Sequence, residues 1–177
     1  MKKIYILAII ITACSSQRSD ELTREEVAQI KQEIIKSYEK HVNDLKNLDY
    51  ESVMKYYANV EDVILFGDGN YWGDYITINQ IWKSFTGGVK QILKWDLKNH
   101  QVHVFSRNAA SYLVEFDNER IEASGDTTKV TGCFSYGMQK IDGEWKVVTT
   151  HVTHNYKEGY GSGGNKNWWK TFSPSAR

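Results

Sequence analysis

The sequence predicts an α+β domain in which one long helix and two short helices pack on a curved antiparallel sheet. Three observations lead to this prediction. Apolar residues recur at helical spacing near the N-terminus. Four runs rich in alternating, β-branched or aromatic residues fill most of the second half. An Asp-Gly pair between the last two runs predicts a tight β-hairpin. Helices segregated to one face of such a sheet define the α+β class.

The first helix is predicted from Thr23 to about Lys46. Thr23 and Glu26 have the spacing of a capping box, in which each side chain caps the other residue's backbone N–H. The apolar residues that follow share one helical face: Val27, Ile30, Ile34, Tyr38, His41, Val42 and Leu45. The segment Asn47-Leu48-Asp49 should then break the helix, and its aspartate should cap a short second helix over residues 50–57.

The central segment is expected to hold a short strand and a third helix. A strand over residues 63–66 should be followed by a Gly-rich turn and an irregular stretch. Either Asp74 or Thr77 can cap the third helix, and Gly87-Gly88 should end it. The apolar face of this helix comprises Ile78, Ile81, Trp82 and Phe85.

Four long strands are predicted after residue 92. Turns are expected at Arg107-Asn108, Gly125-Asp126 and Asp142-Gly143, and a bulge is expected near Asn99. The Asp-Gly pair fits the two positive-φ positions of a type I′ turn. In the last strand, simple alternation puts one face together: Trp145, Val147, Thr149, His151 and Thr153.

Composition and spacing exclude several classes of function. The net charge of the 177-residue chain is zero and no basic run occurs, so no nucleic-acid partner is expected. His151 and His154 are three apart on a predicted strand and should point to opposite faces, so they cannot chelate one metal ion. Zinc-ligand spacing and a phosphate-binding glycine loop are also missing, and neither a metal nor a cofactor is predicted.

The N-terminus has the pattern of a bacterial lipoprotein signal. Lys2-Lys3 and the short apolar run Ile4–Ile11 are followed by small residues and Cys14. The hypothesis is that residues 1–13 are removed and Cys14 is acylated, which places the protein in the cell envelope on a lipid anchor. The alternative is ordinary cleavage after Ala13.

The domain boundaries follow from the signal and from a change of composition near the C-terminus. Residues 14–22 are expected to be a tether, and residues 23–156 the folded domain. A Gly-rich C-terminal extension then spans residues 157–177 and contains Trp168-Trp169. This Trp pair either docks on the sheet or a partner, or lies in a disordered tail.

The last hairpin also resembles a known family. The run DGEWKVV, with His151 six residues after Trp145, resembles the C-terminal signature of SnoaL-like domains. These belong to the nuclear transport factor 2-like superfamily, which includes ketosteroid isomerases and polyketide cyclases. The resemblance covers roughly Glu25 to Asn155. It implies a cone-shaped pocket inside the sheet, with the third helix across its mouth.

The resemblance and the strand alternation together predict the residues around this pocket. His151 is the predicted acid–base residue, with Asp68 as a loose match to the isomerase base, and the alternative for His151 is a structural histidine within the sheet. The predicted ligand-binding residues are Tyr38, His41, Trp72, Trp82, Phe85, Trp95, Tyr112 and Tyr136. For each aromatic residue the alternative is core packing.

Three functions remain open from the sequence. The leading one is an envelope-anchored domain that binds a small, partly apolar molecule. The second is an enzyme of isomerase, cyclase or dehydratase type that uses His151. The complete isomerase residue set does not fit, because His41 occupies the position where its helical tyrosine would fall. The third is an interaction module that forms a homodimer through the sheet.

The anchor hypothesis gives the first testable prediction. Replacing Cys14 removes the only thiol that the signal offers for acylation, so Cys14→Ala should release the domain from membranes or leave the precursor unprocessed. Incorporation of labelled palmitate in the bacterial host measures this directly. An unlabelled wild-type protein would refute the anchor.

Overall fold

A computed structural model of the protein describes residues 21–156. Within this range the chain forms three helices: α1 (Arg24–Lys46), α2 (Tyr50–Met54) and α3 (Tyr75–Gly88). It also forms one sheet of six strands: β1 (Ile64–Gly67), β2 (Asn70–Gly73), β3 (Val89–Ser106), β4 (Ala109–Glu122), β5 (Thr127–Ile141) and β6 (Glu144–Tyr156). The predicted α+β class is confirmed.

Two predicted segments lie outside the described residues. They are the signal with Cys14 and the C-terminal extension with Trp168-Trp169. Both remain predictions. No helix between residues 21 and 156 is long and apolar enough to cross a membrane.

Helix α1 begins where the sequence predicted. The Thr23 hydroxyl accepts a hydrogen bond from the Glu26 backbone N–H at 3.1 Å, and the Glu26 carboxylate accepts one from the Thr23 backbone N–H at 2.8 Å. Arg107, in the turn after β3, pairs with the same carboxylate at 2.9 Å. The capping box therefore also ties the start of α1 to the far end of the sheet. The helix buries the predicted stripe: Ile30, Ile34, Tyr38, His41, Val42 and Leu45.

The other two helices are capped by aspartates. The Asp49 side chain accepts a hydrogen bond from the Ser52 backbone N–H, but α2 ends at Met54, three residues earlier than predicted. Asp74, rather than Thr77, caps α3, because its side chain accepts from the backbone N–H groups of Ile76 and Thr77.

The strand order is β2-β1-β6-β5-β4-β3. The last four strands pair antiparallel, as predicted, but β1 runs parallel to β6. Strand β2 was expected to be irregular and instead pairs antiparallel with β1. The reason is a second Asp-Gly turn: Asp68 and Gly69 have φ values of 48° and 80°, which close a two-residue hairpin. The same device closes β5 and β6, where Asp142 and Gly143 have φ values of 50° and 82°.

A bulge in β6 makes one sequence prediction wrong. The register between β5 and β6 shifts by one residue, since Gly137 pairs with Thr149 whereas Met138 pairs with Val147. The extra residue, Val148, reverses the alternation of every later side chain. Trp145 and Val147 are buried before the bulge, and the buried positions after it are Thr150 and Val152.

This reversal changes the face of the sheet on which the His151 side chain lies. His151 was expected to share the buried face of Trp145 and Val147, but its side chain is exposed on the other side of the sheet. His154 instead joins the face of Thr150 and Val152. A bulge near Asn99 was predicted and is confirmed by its φ of 54° and by a register shift between Lys98 and Gln101.

The outer face of the sheet carries several exposed apolar side chains. Leu93, Phe105 and Leu113 are 48%, 64% and 45% exposed. No element within residues 21–156 covers these three side chains, and the homodimer through the sheet remains a prediction.

Candidate functional site

A cavity of about 370 Å³ lies between α3 and the concave face of the sheet. Its walls come from α3 and from all six strands of the sheet. Four of the predicted ligand-binding residues line it: Trp72, Trp82, Phe85 and Trp95. Apolar residues that the sequence did not single out complete the wall, among them Leu65, Ile81, Phe116, Phe134 and Val152.

The other four predicted ligand-binding residues do not line the cavity. Tyr38, His41, Tyr112 and Tyr136 are buried where α1 crosses the sheet, together with Tyr56. The Tyr38 ring lies 5.3 Å from that of Tyr112 and 5.4 Å from that of Tyr136. The Tyr136 hydroxyl donates to the Tyr38 hydroxyl at 3.3 Å. These rings fill the space that a ligand would need, so core packing is the correct interpretation for all four.

His41 is held neutral within this packed end. Its ring stacks on Tyr56 with centroids 4.4 Å apart and meets Trp82 edge-on at 5.8 Å. Burial, with a smaller effect from the charge of Lys40, lowers the pKa of His41 to about 3. The imidazole is therefore uncharged at neutral pH and acts as a core aromatic ring.

The cavity's histidine is His154, which the sequence prediction missed. Asp68 accepts hydrogen bonds from the His154 backbone N–H at 2.8 Å and contacts its Nδ1 at 3.0 Å. The ring lies parallel to Trp72, with centroids 6.1 Å apart, and edge-on to Phe116 at 6.0 Å. Asp68 can reach β6 because the positive-φ turn that it opens follows directly on β1, the parallel neighbour of β6.

The Asp68 contact fixes the protonation pattern of the His154 ring. Burial alone would raise the pKa of Asp68, but the hydrogen bonds from the ring and backbone of His154 outweigh it and hold this pKa below its usual value. Asp68 is therefore a carboxylate and can only accept, so Nδ1 carries the proton. In the neutral ring, Nε2 then has the lone pair that can take a proton.

A second polar group lies on β4. The Arg120 guanidinium donates from Nη1 to the Asn118 side-chain oxygen at 2.8 Å and from Nε to Glu122 at 2.9 Å. Its Cζ lies 5.2 Å from the centre of the Phe85 ring. All four residues line the cavity, and the Arg120 side chain is 17% exposed. The charge is therefore fixed in position at the cavity wall.

The Trp95 indole adds a buried hydrogen-bond donor to the same wall. Trp95 is 5% exposed, and its Nε1 has no hydrogen-bond partner within residues 21–156. Its ring lies 6.0 Å from Phe85 and 6.2 Å from Phe116.

The sequence held a signal for only part of this polar set. Arg120 and Asn118 continue the inward alternation of Tyr112, Val114 and Phe116 along β4, so extending that run would have placed them in the cavity. His154 could not be placed, because the bulge at Val148 has no Gly or Pro to mark it. Within the described residues, no group of three or more His, Cys, Asp or Glu side chains could hold a metal ion.

Several solved structures share this fold. A Novosphingobium aromaticivorans protein provisionally assigned as a scytalone dehydratase has a TM-score of 0.70 at 12% identity, covering 78% of this chain and 93% of its own. A nuclear transport factor 2-like superfamily protein from Salmonella enterica has a TM-score of 0.62 at 20% identity, with coverages of 77% and 99%. A ketosteroid isomerase-like protein from Erwinia carotovora has a TM-score of 0.60 at 16% identity, with coverages of 76% and 100%. At these identities the likeness shows the fold alone: an open, curved sheet of the nuclear transport factor 2-like class.

The family follows from the sequence itself. The SnoaL-like domain family matches residues 34–154, which is more than half of the chain, and the protein belongs to this family. The resemblance carried by the last hairpin is thereby confirmed. No curated protein sequence matches the chain.

The buried His41 predicts a specific loss of stability in mild acid. Its folded pKa of about 3 lies below the unfolded value of 6.5, so the unfolded chain binds the extra proton first. The stability is present above pH 6.5 and falls as the pH drops toward 3. Between pH 6.5 and pH 5 the loss should be about 2 kcal/mol, at about 1.4 kcal/mol per pH unit. Urea unfolding at both pH values measures it.

A matched variant isolates this contribution. His41→Phe keeps an aromatic ring against Tyr56 but cannot bind a proton, so its stability should change little over the same pH range. Equal losses in the wild type and the variant would contradict the assignment. The carboxylates with lowered pKa, such as Glu33 at about 2, affect stability only at lower pH.

Proposed function

We propose that the protein binds a small, partly apolar molecule in the cavity beneath α3. The observation that carries this proposal is the cavity itself, since about 370 Å³ within a mostly aromatic and aliphatic wall is the size of a small-molecule site. A domain that needed this space only for stability would fill it, as the tyrosines do at the α1 end.

The few polar groups in the wall support a ligand that also carries polar atoms. His154 and Arg120 line the same cavity, and each is fixed by at least two hydrogen bonds. Precisely placed polar groups in an apolar pocket give orientation and specificity to a ligand. We therefore expect a molecule with an apolar body and polar substituents.

The location of this binding activity is part of the proposal. An acylated Cys14 would hold the domain at the surface of a membrane in the bacterial envelope, on the periplasmic side or the outer-membrane face. There the cavity would meet molecules that pass through or along the envelope.

A second candidate function is proton transfer to the bound molecule. The observation that favours it is the Asp68–His154 pair, in which the carboxylate orients the ring through Nδ1. A neutral imidazole in this state can remove a proton from a substrate carbon or oxygen, and the resulting imidazolium can return it. That chemistry suits an isomerase, cyclase or dehydratase, with His154 in the role that was predicted for His151.

The binding proposal is tested with a neutral fluorescent probe, N-phenyl-1-naphthylamine. Gly88 lines the cavity and Gly87 does not, and a Cβ added at either position meets no atom within 4 Å. Gly88→Leu should therefore narrow the cavity and weaken probe binding, whereas Gly87→Leu, at the same helix end, should leave it unchanged. Fluorescence titration of the purified protein gives both affinities. Equal effects of the two variants, or no saturable binding by the wild type, would reject the cavity as the binding site.

Proton transfer is tested on the natural ligand. Native mass spectrometry of the protein purified from its own host identifies a co-purifying molecule, which is then incubated with the protein in D₂O. His154→Gln should slow deuterium uptake into that molecule by about 100-fold or more, because a positioned acid–base group contributes about 10²–10⁴-fold. His151→Gln changes the same residue type three positions away on the opposite face. It removes only a minor electrostatic effect on Asp68, so its effect should be far smaller. If deuterium uptake is the same in the wild type and in His154→Gln, His154 does not transfer the proton, and only the binding function remains.

A further inference from the structure

We propose that the molecule bound in the cavity is a small organic carboxylate, whose head group is held by Arg120. This inference rests on the proposed binding function and names the chemical class of the ligand. The site is at the end of the cavity where β3 and β4 face the last turns of α3.

Arg120 has hydrogen-bonding capacity left after its internal contacts. A guanidinium has five N–H donors, and Arg120 uses one on Nε for Glu122 and one on Nη1 for Asn118. The remaining three, both of those on Nη2 and one on Nη1, have no acceptor within residues 21–156. Two adjacent N–H groups of a fixed guanidinium form the fork that carboxylates prefer.

Aromatic rings lie beside Arg120 at this end of the cavity. Trp95 lies directly opposite Asn118 in the register of β3 and β4, and Asn118 accepts a hydrogen bond from Arg120. The Phe85 ring lies 5.2 Å from the Arg120 Cζ and 6.0 Å from the Trp95 ring. A ligand whose head group is held by Arg120 can therefore rest its apolar body on Phe85.

The charges of this part of the cavity favour a single carboxylate over a larger anion. Glu122 is the one acidic side chain among the described residues of the lining, and it occupies the Nε edge of Arg120. Glu122 therefore binds the Nε edge of the guanidinium and leaves the remaining N–H groups on Nη1 and Nη2 for a ligand. A monoanion can share the guanidinium with Glu122, whereas a phosphate dianion would face Glu122 with no further cation in the lining.

The wall beyond this end indicates how the rest of the ligand lies. Trp95 is 6.2 Å from Phe116, and Phe116 is 6.0 Å from His154, measured between ring centroids. Aromatic rings thus connect the head-group site to the His154 ring without a charged residue between them. A carboxylate held at Arg120 would place its apolar body on these rings and its far end near His154.

The test uses two ligands that differ only in the head group, 2-naphthoate and 2-naphthalenemethanol. Isothermal titration of the purified full-length protein should show tighter binding of the carboxylate. Arg120→Gln should weaken naphthoate binding by about 10- to 100-fold, the range for a hydrogen bond to a charged group, and should leave the alcohol unchanged. Retained alcohol binding shows that the cavity of the variant is still folded.

Two further variants separate the head-group site from general effects of charge. Glu122→Gln removes the competing carboxylate and should tighten naphthoate binding. Glu119→Gln makes the same change on the opposite face of β4, where Glu119 pairs with Lys129 at 3.0 Å, and should have no effect.

The outcomes separate this inference from the function on which it rests. Binding of both ligands with equal affinity, or naphthoate binding that survives Arg120→Gln, would overturn the carboxylate site and leave the binding function in place. Failure of both ligands and of the neutral probe to bind would overturn both. Carboxylate preference that disappears with Arg120→Gln and increases with Glu122→Gln establishes the site.

Discussion

The packing of α1 against one half of the sheet determines where a ligand can bind. The aromatic side chains of this helix and of the facing strands fill the concave surface completely there, as the Tyr38, Tyr112 and Tyr136 rings show. Helix α3 covers the other half, and a cavity of about 370 Å³ remains there. The filled half supplies the hydrophobic burial that a domain of this size requires, so the open half can keep polar groups and unfilled volume.

A single inserted residue then decides which histidine reaches that cavity. Val148 forms a bulge in β6, so the strand presents Trp145 and Val147 to the core before it and His154 to the cavity after it. The bulge and the Asp68-Gly69 turn therefore act together: one orients the histidine, and the other brings the carboxylate to its Nδ1.

The sequence predicted the fold far better than the site. Capping boxes, Asp-Gly turns and amphipathic stripes are local signals, and they gave α1, α3 and the last hairpin correctly. The face of a side chain in a long strand depends on every residue before it, and one unmarked bulge was enough to exchange His151 for His154. Residue type also failed to separate Tyr38 from Trp82, because both are amphipathic aromatics on inward helix faces. The tertiary packing around each ring decides whether it contacts other rings, as Tyr38 does, or lines the cavity, as Trp82 does.

The polar groups of the cavity are separated in a way that constrains its chemistry. A charged side chain in a mostly apolar wall is costly unless it is paired, and Arg120 is paired with Glu122 and Asn118 while part of its fork remains open. The Asp68 carboxylate is likewise paired with His154. Each end is therefore stable without a ligand, and neither end neutralises the other. A molecule long enough to meet both gains a charge-assisted contact at Arg120 and an oriented imidazole at His154, while the Phe85 and Phe116 rings between them accept only apolar groups. The same arrangement would hold a carboxylate substrate in one direction, with its uncharged end presented to the histidine.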